Sequence, residues 1–150
     1  MMWIYRNGIP PTPVRGERPS CVACAISNAS NIPYLEVVCE LKKLAKLERG
    51  GSTVRRSNLN NGFRRITYSK LLDKLGAVWT EERTSFEEEN LPISHRLVVS
   101  VPNHLSAIVN GEIHDLFDPR ANDHRRFGYY QRRIYGWWLF PKRLKRRIPT

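Results

Sequence analysis

The stretch Asn103-His104-Leu105-Ser106-Ala107-Ile108-Val109-Asn110-Gly111-Glu112-Ile113-His114-Asp115 decides the reading of this chain. Asn-Gly between two apolar runs is the strongest short hairpin signal, because both turn positions need positive φ and these residues accept it at little cost. The two strands are expected to be 104–109 and 112–117. With a two-residue turn, Val109 pairs with Glu112. Counting outward, Ser106 faces Asp115, His104 faces Phe117 and Asn103 faces Asp118. Side chains alternate along a strand, so His104, Ser106, Asp115 and Phe117 share one face and Asp118 takes the other. Asp115 is then a diagonal neighbour of His104, within reach as an orienting carboxylate, and the His104 ring is expected to project toward a facing helix. Asp118 qualifies only if a bulge shifts the register; Asp118-Pro119 otherwise reads as a strand stop and turn.

Around this hairpin the other elements fall into two groups. Leu97–Val101 is a buried-strand run that Pro102-Asn103 interrupts, 118–131 is a polar loop, and 132–140 reads as a last aromatic strand. Residues 3–6 suit a short edge strand and 77–80 another. Residues 7–20 hold four prolines and two glycines, an irregular lead-in. Ser20 then caps a helix over Cys21–Ser30, where Val22, Ala25, Ile26 and Ala29 recur at helical spacing. Asn31 is read as the cap of a second helix with Pro33 near its start, running to Arg49 before Gly50-Gly51, with Leu35, Val38, Cys39, Leu41, Leu44 and Leu47 as its apolar face. Residues 52–66 read as a basic loop, Thr67 as the cap of a third helix over 68–75, and the glutamate-rich 81–90 as a short helix. Helices first and antiparallel strands afterwards give an α+β domain over 1–140, its N-terminal helices packed on a C-terminal antiparallel sheet, followed by a mobile basic tail, 141–150.

Cys21 stands where helix N–H groups point outward and the helix dipole is positive, which stabilises a thiolate and makes it a stronger nucleophile. A helix-start Cys, a strand-borne His and an acid beside that His form a candidate catalytic set, Cys21, His104 and Asp115. Cys24 and Cys39 are read as small core residues. Cys21-x-x-Cys24 also fits a dithiol redox site, but such sites follow a core strand, and here a Pro- and Arg-rich segment precedes. One Cys-x-x-Cys with a distant Cys39 and scattered histidines is a poor zinc set, so neither metal nor cofactor is expected. His95, His114 and His124 are read as ordinary histidines.

These segments resemble the papain-like cysteine peptidase superfamily, in particular the small papain-like proteins of bacteriophages and bacteria. The resemblance rests on Cys21, Ala25 and Ile26 at a helix start and on the run His104–Pro119 with its apolar strand, Gly turn, Asp and aromatic. It covers mainly 19–30 and 96–117. It implies a papain-like fold and a thiol hydrolase, a cysteine peptidase or amidase with a peptide or protein substrate, in which His104 takes the Cys21 proton and Asp115 orients the ring. One departure matters. The superfamily places a Gln a few residues before the Cys as an oxyanion donor, whereas the one Gln here is Gln131, and upstream of Cys21 the one side-chain amide is Asn7. The Cys21 N–H supplies one donor and the second is unassigned.

Composition adds a rival. The 150 residues carry 25 Lys+Arg against 14 Asp+Glu, a formal charge of +11. That charge favours polyanions. Arg55, Arg56, Arg64, Arg65, Arg125, Arg126, Arg132 and Arg133, interleaved with aromatics, are candidate contacts for nucleic acid or an acidic protein, the role of a catalytically inactive papain-like scaffold turned binding module. Three cysteines cannot form a complete disulfide framework, and no run of ~18 apolar residues or signal peptide is visible. A reducing cytoplasm, the host's if the chain is phage-encoded, and no membrane partner are therefore expected.

Overall fold

The computed structural model describes residues 1–5, 19–49, 57–59, 62–116, 118–120 and 133–150. Its elements are β1 (Trp3–Tyr5), α1 (Cys21–Ser30), α2 (Tyr34–Ala45), α3 (Arg65–Lys74), β2 (Val78–Thr84), β3 (Leu97–Val101), β4 (His104–Val109), β5 (Glu112–Asp115) and β6 (Ile134–Leu139), with one 3₁₀ turn at Glu88–Asn90. The protein is thus mixed α+β. Its six strands form one sheet in the order β1-β5-β4-β3-β6-β2. All neighbours are antiparallel except β1, which runs parallel to β5 at the edge.

The sheet separates two apolar layers. On one side Val98, Leu105, Ala107 and Trp138 meet the three helices. On the other, Leu97, Val99, Ile108, Ile113, Ile134 and Trp137 pack with Phe86 and Leu91. The two layers alternate along β3, as strand geometry requires.

α1 is the central helix, with every residue after Cys21 buried. A helix buried on every side is an interior helix, and Ala23, Ala25 and Ala29 let its neighbours approach closely. Ser20 is extended, and its Oγ accepts from the Ala23 N–H at 3.1 Å. At the far end Asn31 adopts φ 61 and its N–H returns to the Ser27 carbonyl, so Asn31 closes α1 rather than opening α2 as expected.

α2 also departs from its expected face. Tyr34, Val37, Val38, Leu41, Leu44 and Ala45 are buried, while Leu35, Cys39 and Leu47 are exposed. The expected face merged two neighbouring stripes, and only the one following the 3, 4 spacing from Tyr34 reaches the core. Cys39 is therefore a surface thiol, and the helix ends at Ala45. α3 begins at Arg65, before Thr67. Thr67 is buried inside the helix and donates its hydroxyl to Glu48 Oε2 at 2.6 Å, so it is not the cap. Glu48 Oε1 accepts from the Ser57 N–H at 2.9 Å, which ties the end of α2 to the approach to α3.

The central hairpin follows its expected register: Val109 pairs with Glu112, Ile108 with Ile113 and Ala107 with His114. Asn110 and Gly111 have φ 52 and 73. Pro102-Asn103 is a second tight turn, with Val101 paired to His104 and Asn103 at φ 56. Residues 141–150 lie against the body instead of standing off it: Leu144 and Ile148 pack on the helix-side core, and Lys145 Nζ donates to the Lys74 carbonyl at the end of α3. Among the described residues, no helix is long and apolar enough to cross a membrane.

Candidate active site

Cys21 is the first residue of α1. An N-terminal helix residue has an N–H with no intrahelical acceptor, and the end of the helix carries positive partial charge. Several contacts hold this end in place. The Ser20 N–H donates to the hydroxyl of buried Tyr34 at 3.1 Å, which fixes the cap from α2. Asn28 Nδ2 donates to the His114 carbonyl of β5 at 3.3 Å. Arg96 donates to the Asn28 and Ala29 carbonyls at 3.2 and 3.4 Å, placing a guanidinium at the negative end of the helix.

His104 opens β4 directly after the Pro102-Asn103 turn. Its Nε2 lies 2.7 Å from Asp115 Oδ2, and the side chains of both residues are 4% exposed or less. Asp115 Oδ1 accepts from the Leu116 N–H at 2.7 Å, so both carboxylate oxygens are engaged and the group has one orientation. With Nε2 on the carboxylate, Nδ1 is the nitrogen left for Cys21, which lines the same cavity and interacts electrostatically with this ring. The three residues read from the sequence as a catalytic set are therefore in one chain of contacts.

The approach of Cys21 differs from the expected one. Leu105 and Ala107 face the helices and Ile108 faces the opposite layer, so alternation puts His104 and Ser106 on the side away from the main helix packing. Cys21 lies by the first two residues of β4, His104 and Leu105, beyond the last β4–β5 pair at Ala107, where the Leu105 backbone N–H also favours its thiolate. The end of the helix abuts the end of a strand.

The electrostatics follow from these contacts. Burial pushes the Cys21 thiol up, but the hydrogen bond from His104, the charge of its ring and the Leu105 N–H together bring it below its ordinary value of 9.0. Burial draws His104 down, yet the hydrogen bonds to Asp115 and Cys21 and their negative charges raise it to about 9. Both shifts favour a thiolate–imidazolium pair near neutral pH. Cys24, one turn along and 1% exposed, is pushed by burial up to about 12 and stays a thiol.

Asp118 belongs elsewhere. Its carboxylate takes Nε and Nη2 of Arg120 at 2.9 and 2.7 Å, and that pairing holds it below the usual carboxylate range. No bulge interrupts the β4–β5 ladder to bring it to His104.

A cavity of about 430 Å³ opens over the sulfur, walled by Val22, Phe63, Tyr68, Val101, Leu105 and Tyr135, with Ser100 and Asn103 at the turn. Among the described residues that line it there is no carboxylate, lysine or arginine. Phe63 and Tyr68 come from the approach to α3 and its first turn and Tyr135 from β6, and no local pattern marks them as cavity residues.

Of the arginines read as candidate polyanion contacts, Arg64, Arg65 and Arg133 are described; Arg55, Arg56, Arg125, Arg126 and Arg132 lie outside the described residues, as does Phe117. Arg65 is not simply solvated. Its guanidinium sits 4.2 Å from the Trp79 ring centroid and 4.9 Å from that of Trp138. Stacking of this kind binds the cation to its own protein.

No family model, curated protein or solved structure matches this chain. The functional reading accordingly rests on the residues and on their geometry.

Proposed function

We propose that the protein is a papain-like thiol hydrolase, a cysteine peptidase or amidase, with Cys21 as nucleophile, His104 as general base and then general acid, and Asp115 as the residue that orients and stabilises the imidazolium. The observation that supports this reading is the juxtaposition of half-buried Cys21 with the buried His104–Asp115 pair, 2.7 Å between Nε2 and Oδ2, at a helix N-terminus beneath an open cavity.

The chemistry follows from the groups present. The Cys21 thiolate attacks an acyl carbon; the S–C bond forms as the carbonyl π electrons move to oxygen. The Cys21 N–H, unused within the helix, donates to that oxyanion. Collapse expels the leaving group, which takes its proton from His104. Water, deprotonated by the now neutral His104, then cleaves the thioester and returns the acid; an amine in place of water gives acyl transfer. Asp115 keeps the ring proton on Nε2, so that Nδ1 is the nitrogen that exchanges protons at the sulfur. A reducing compartment such as the cytoplasm suits a site that needs Cys21 as a thiolate.

The test uses an activated aryl ester in a Cys39→Ser background, which removes the exposed thiol. The expected result is a burst of about one phenol per chain that Cys21→Ala abolishes while the circular dichroism spectrum is kept. A burst that survives Cys21→Ala refutes the assignment.

A further inference from the structure

One role in the proposed reaction is unfilled, since a single N–H is assigned to the oxyanion and no Gln precedes Cys21 in the sequence. The cavity wall supplies a candidate. Tyr68 lies in the first turn of α3, its N–H held by the Arg64 carbonyl at 3.1 Å. Its ring meets buried Trp138 edge-on, 5.8 Å between centroids at 80°, and it is half-buried against the helix-side core. These contacts fix where the ring points, and the ring lines the same cavity as Cys21, Val22 and His104. The phenol has no hydrogen-bond partner among the described residues. Its O–H is therefore available to donate into the cavity that Tyr68 shares with Cys21.

Other side-chain donors in the wall fit less well. Asn103 is exposed on the turn, and Tyr135 is 42% exposed at the rim with Arg83 over its ring at 5.6 Å.

We infer that Tyr68 is the second oxyanion donor, its phenol O–H hydrogen-bonding the oxygen that becomes negative when Cys21 attacks an acyl carbon. This rests on the thiol-hydrolase reading. The phenol donates without losing its proton: the oxyanion forms as the S–C bond forms, keeps the hydrogen bond through the tetrahedral intermediate, and releases it when the carbonyl reforms. Burial raises the phenol, Arg65 opposes that, and the nearby Cys21 thiolate raises it again, with a net upward shift that keeps it a donor. Tyr68 thus takes the role the missing Gln would fill, from a different helix.

The experiment compares two reactions of one sulfur in wild type and Tyr68→Phe, which keeps the ring and removes the donor. Alkylation by iodoacetamide passes through no oxyanion. Acylation by an aryl ester does. The expected result is acylation slower by ~10²-fold, the scale of one oxyanion donor, with alkylation of Cys21 unchanged within about twofold. Both rates unchanged would overturn the role of Tyr68 and leave the triad standing. Both rates reduced together would also overturn it, since Tyr68 would then act on the thiolate. Wild-type protein that alkylates but never acylates would overturn the hydrolase reading itself and this inference with it.

Discussion

Replacing Asp115 by Asn is the most revealing single change to the site. The carboxylate accepts two hydrogen bonds, from His104 Nε2 and from the Leu116 N–H, both 2.7 Å. An amide of the same shape offers one oxygen and one NH₂. If the oxygen keeps Leu116, the NH₂ faces Nε2 and drives the ring proton to Nδ1, the nitrogen needed at Cys21. If the oxygen turns to His104, the NH₂ meets the Leu116 N–H, donor against donor. In the first arrangement both hydrogen bonds survive but the ring has the wrong tautomer; in the second, one buried hydrogen bond is lost, costing ~1–3 kcal/mol of stability. The larger effect is on charge. His104 stands at about 9 against an ordinary 6.5. That difference is worth ~3 kcal/mol, shared between Asp115 and Cys21. Without the carboxylate, burial dominates and His104 is neutral at pH 7. The Cys21 thiol then returns to 9.0 or above. Its thiolate fraction at pH 7 is then ~1% or less, which for a thiol at 9.0 is a loss of up to ~100-fold. A more basic thiolate is intrinsically more reactive, with a Brønsted slope of ~0.4–0.5, which offsets about half of that loss on a logarithmic scale. Alkylation of Cys21 by iodoacetamide at pH 7, followed by peptide mass mapping, is therefore expected to slow by ~10-fold. Acyl transfer, which also needs the proton returned to the leaving group, is expected to fall by ~10³-fold. An Asp115→Asn variant that alkylates and acylates at wild-type rates, with an unchanged melt, would refute the argument.

Other consequences follow from the same contacts. The pH midpoint of Cys21 alkylation lies below 9.0 in the wild type and moves upward in His104→Ala, because burial then outweighs the remaining Leu105 N–H; equal midpoints would contradict the ion pair. His104 has a folded pKa above its unfolded one, so its contribution to stability is complete below about pH 6.5 and disappears as pH rises through about 9. The melting difference between wild type and His104→Ala should shrink across that window. A Cβ at Gly136 would stand 2.5 Å from the Thr80 carbonyl oxygen and 2.5 Å from the Trp79 ring. Gly136→Ala must open the β2–β6 pairing, at a cost of ~1–3 kcal/mol, a fall of ~3–10 °C in Tm with altered tryptophan fluorescence. The apolar cavity wall favours an uncharged, apolar acyl group: esters with aliphatic or aromatic acyl chains should exceed matched carboxylate-bearing ones by ~10–100-fold in kcat/KM, and equal rates would contradict that use of the cavity.

The parts of the molecule legible in the sequence are those fixed by local chemistry. Asn110-Gly111 set the turn, the turn set the register, and the register separated Asp115 from Asp118. Ser20 marked the start of α1 because a hydroxyl cap is a local device. What failed to show was decided by distant partners. The choice between the stripe through Leu35 and Cys39 and the one through Tyr34 and Val37 depends on where α1 lies, which no window along α2 contains. Thr67 resembled a cap, but Glu48, nineteen residues away, claims its hydroxyl. The parallel pairing of Trp3–Tyr5 with β5 joins the two ends of the chain. Arg65 looked like loop charge until β2 and β6 brought Trp79 and Trp138 beneath it. Tyr34 and Tyr68 carry no local signal at all; each matters because α2 or α3 delivers it to the cap or the cavity.

The central claim is that Cys21, activated by His104, forms an acyl-thioester. Acid quenching during aryl-ester turnover, followed by peptide mapping, tests it most directly. The expected result is a single acyl increment on the peptide containing Cys21, removed by neutral hydroxylamine and formed ~10²–10⁴-fold more slowly in His104→Ala. An increment on Cys39 or a lysine instead, or one on Cys21 that forms as fast without His104, would contradict the account.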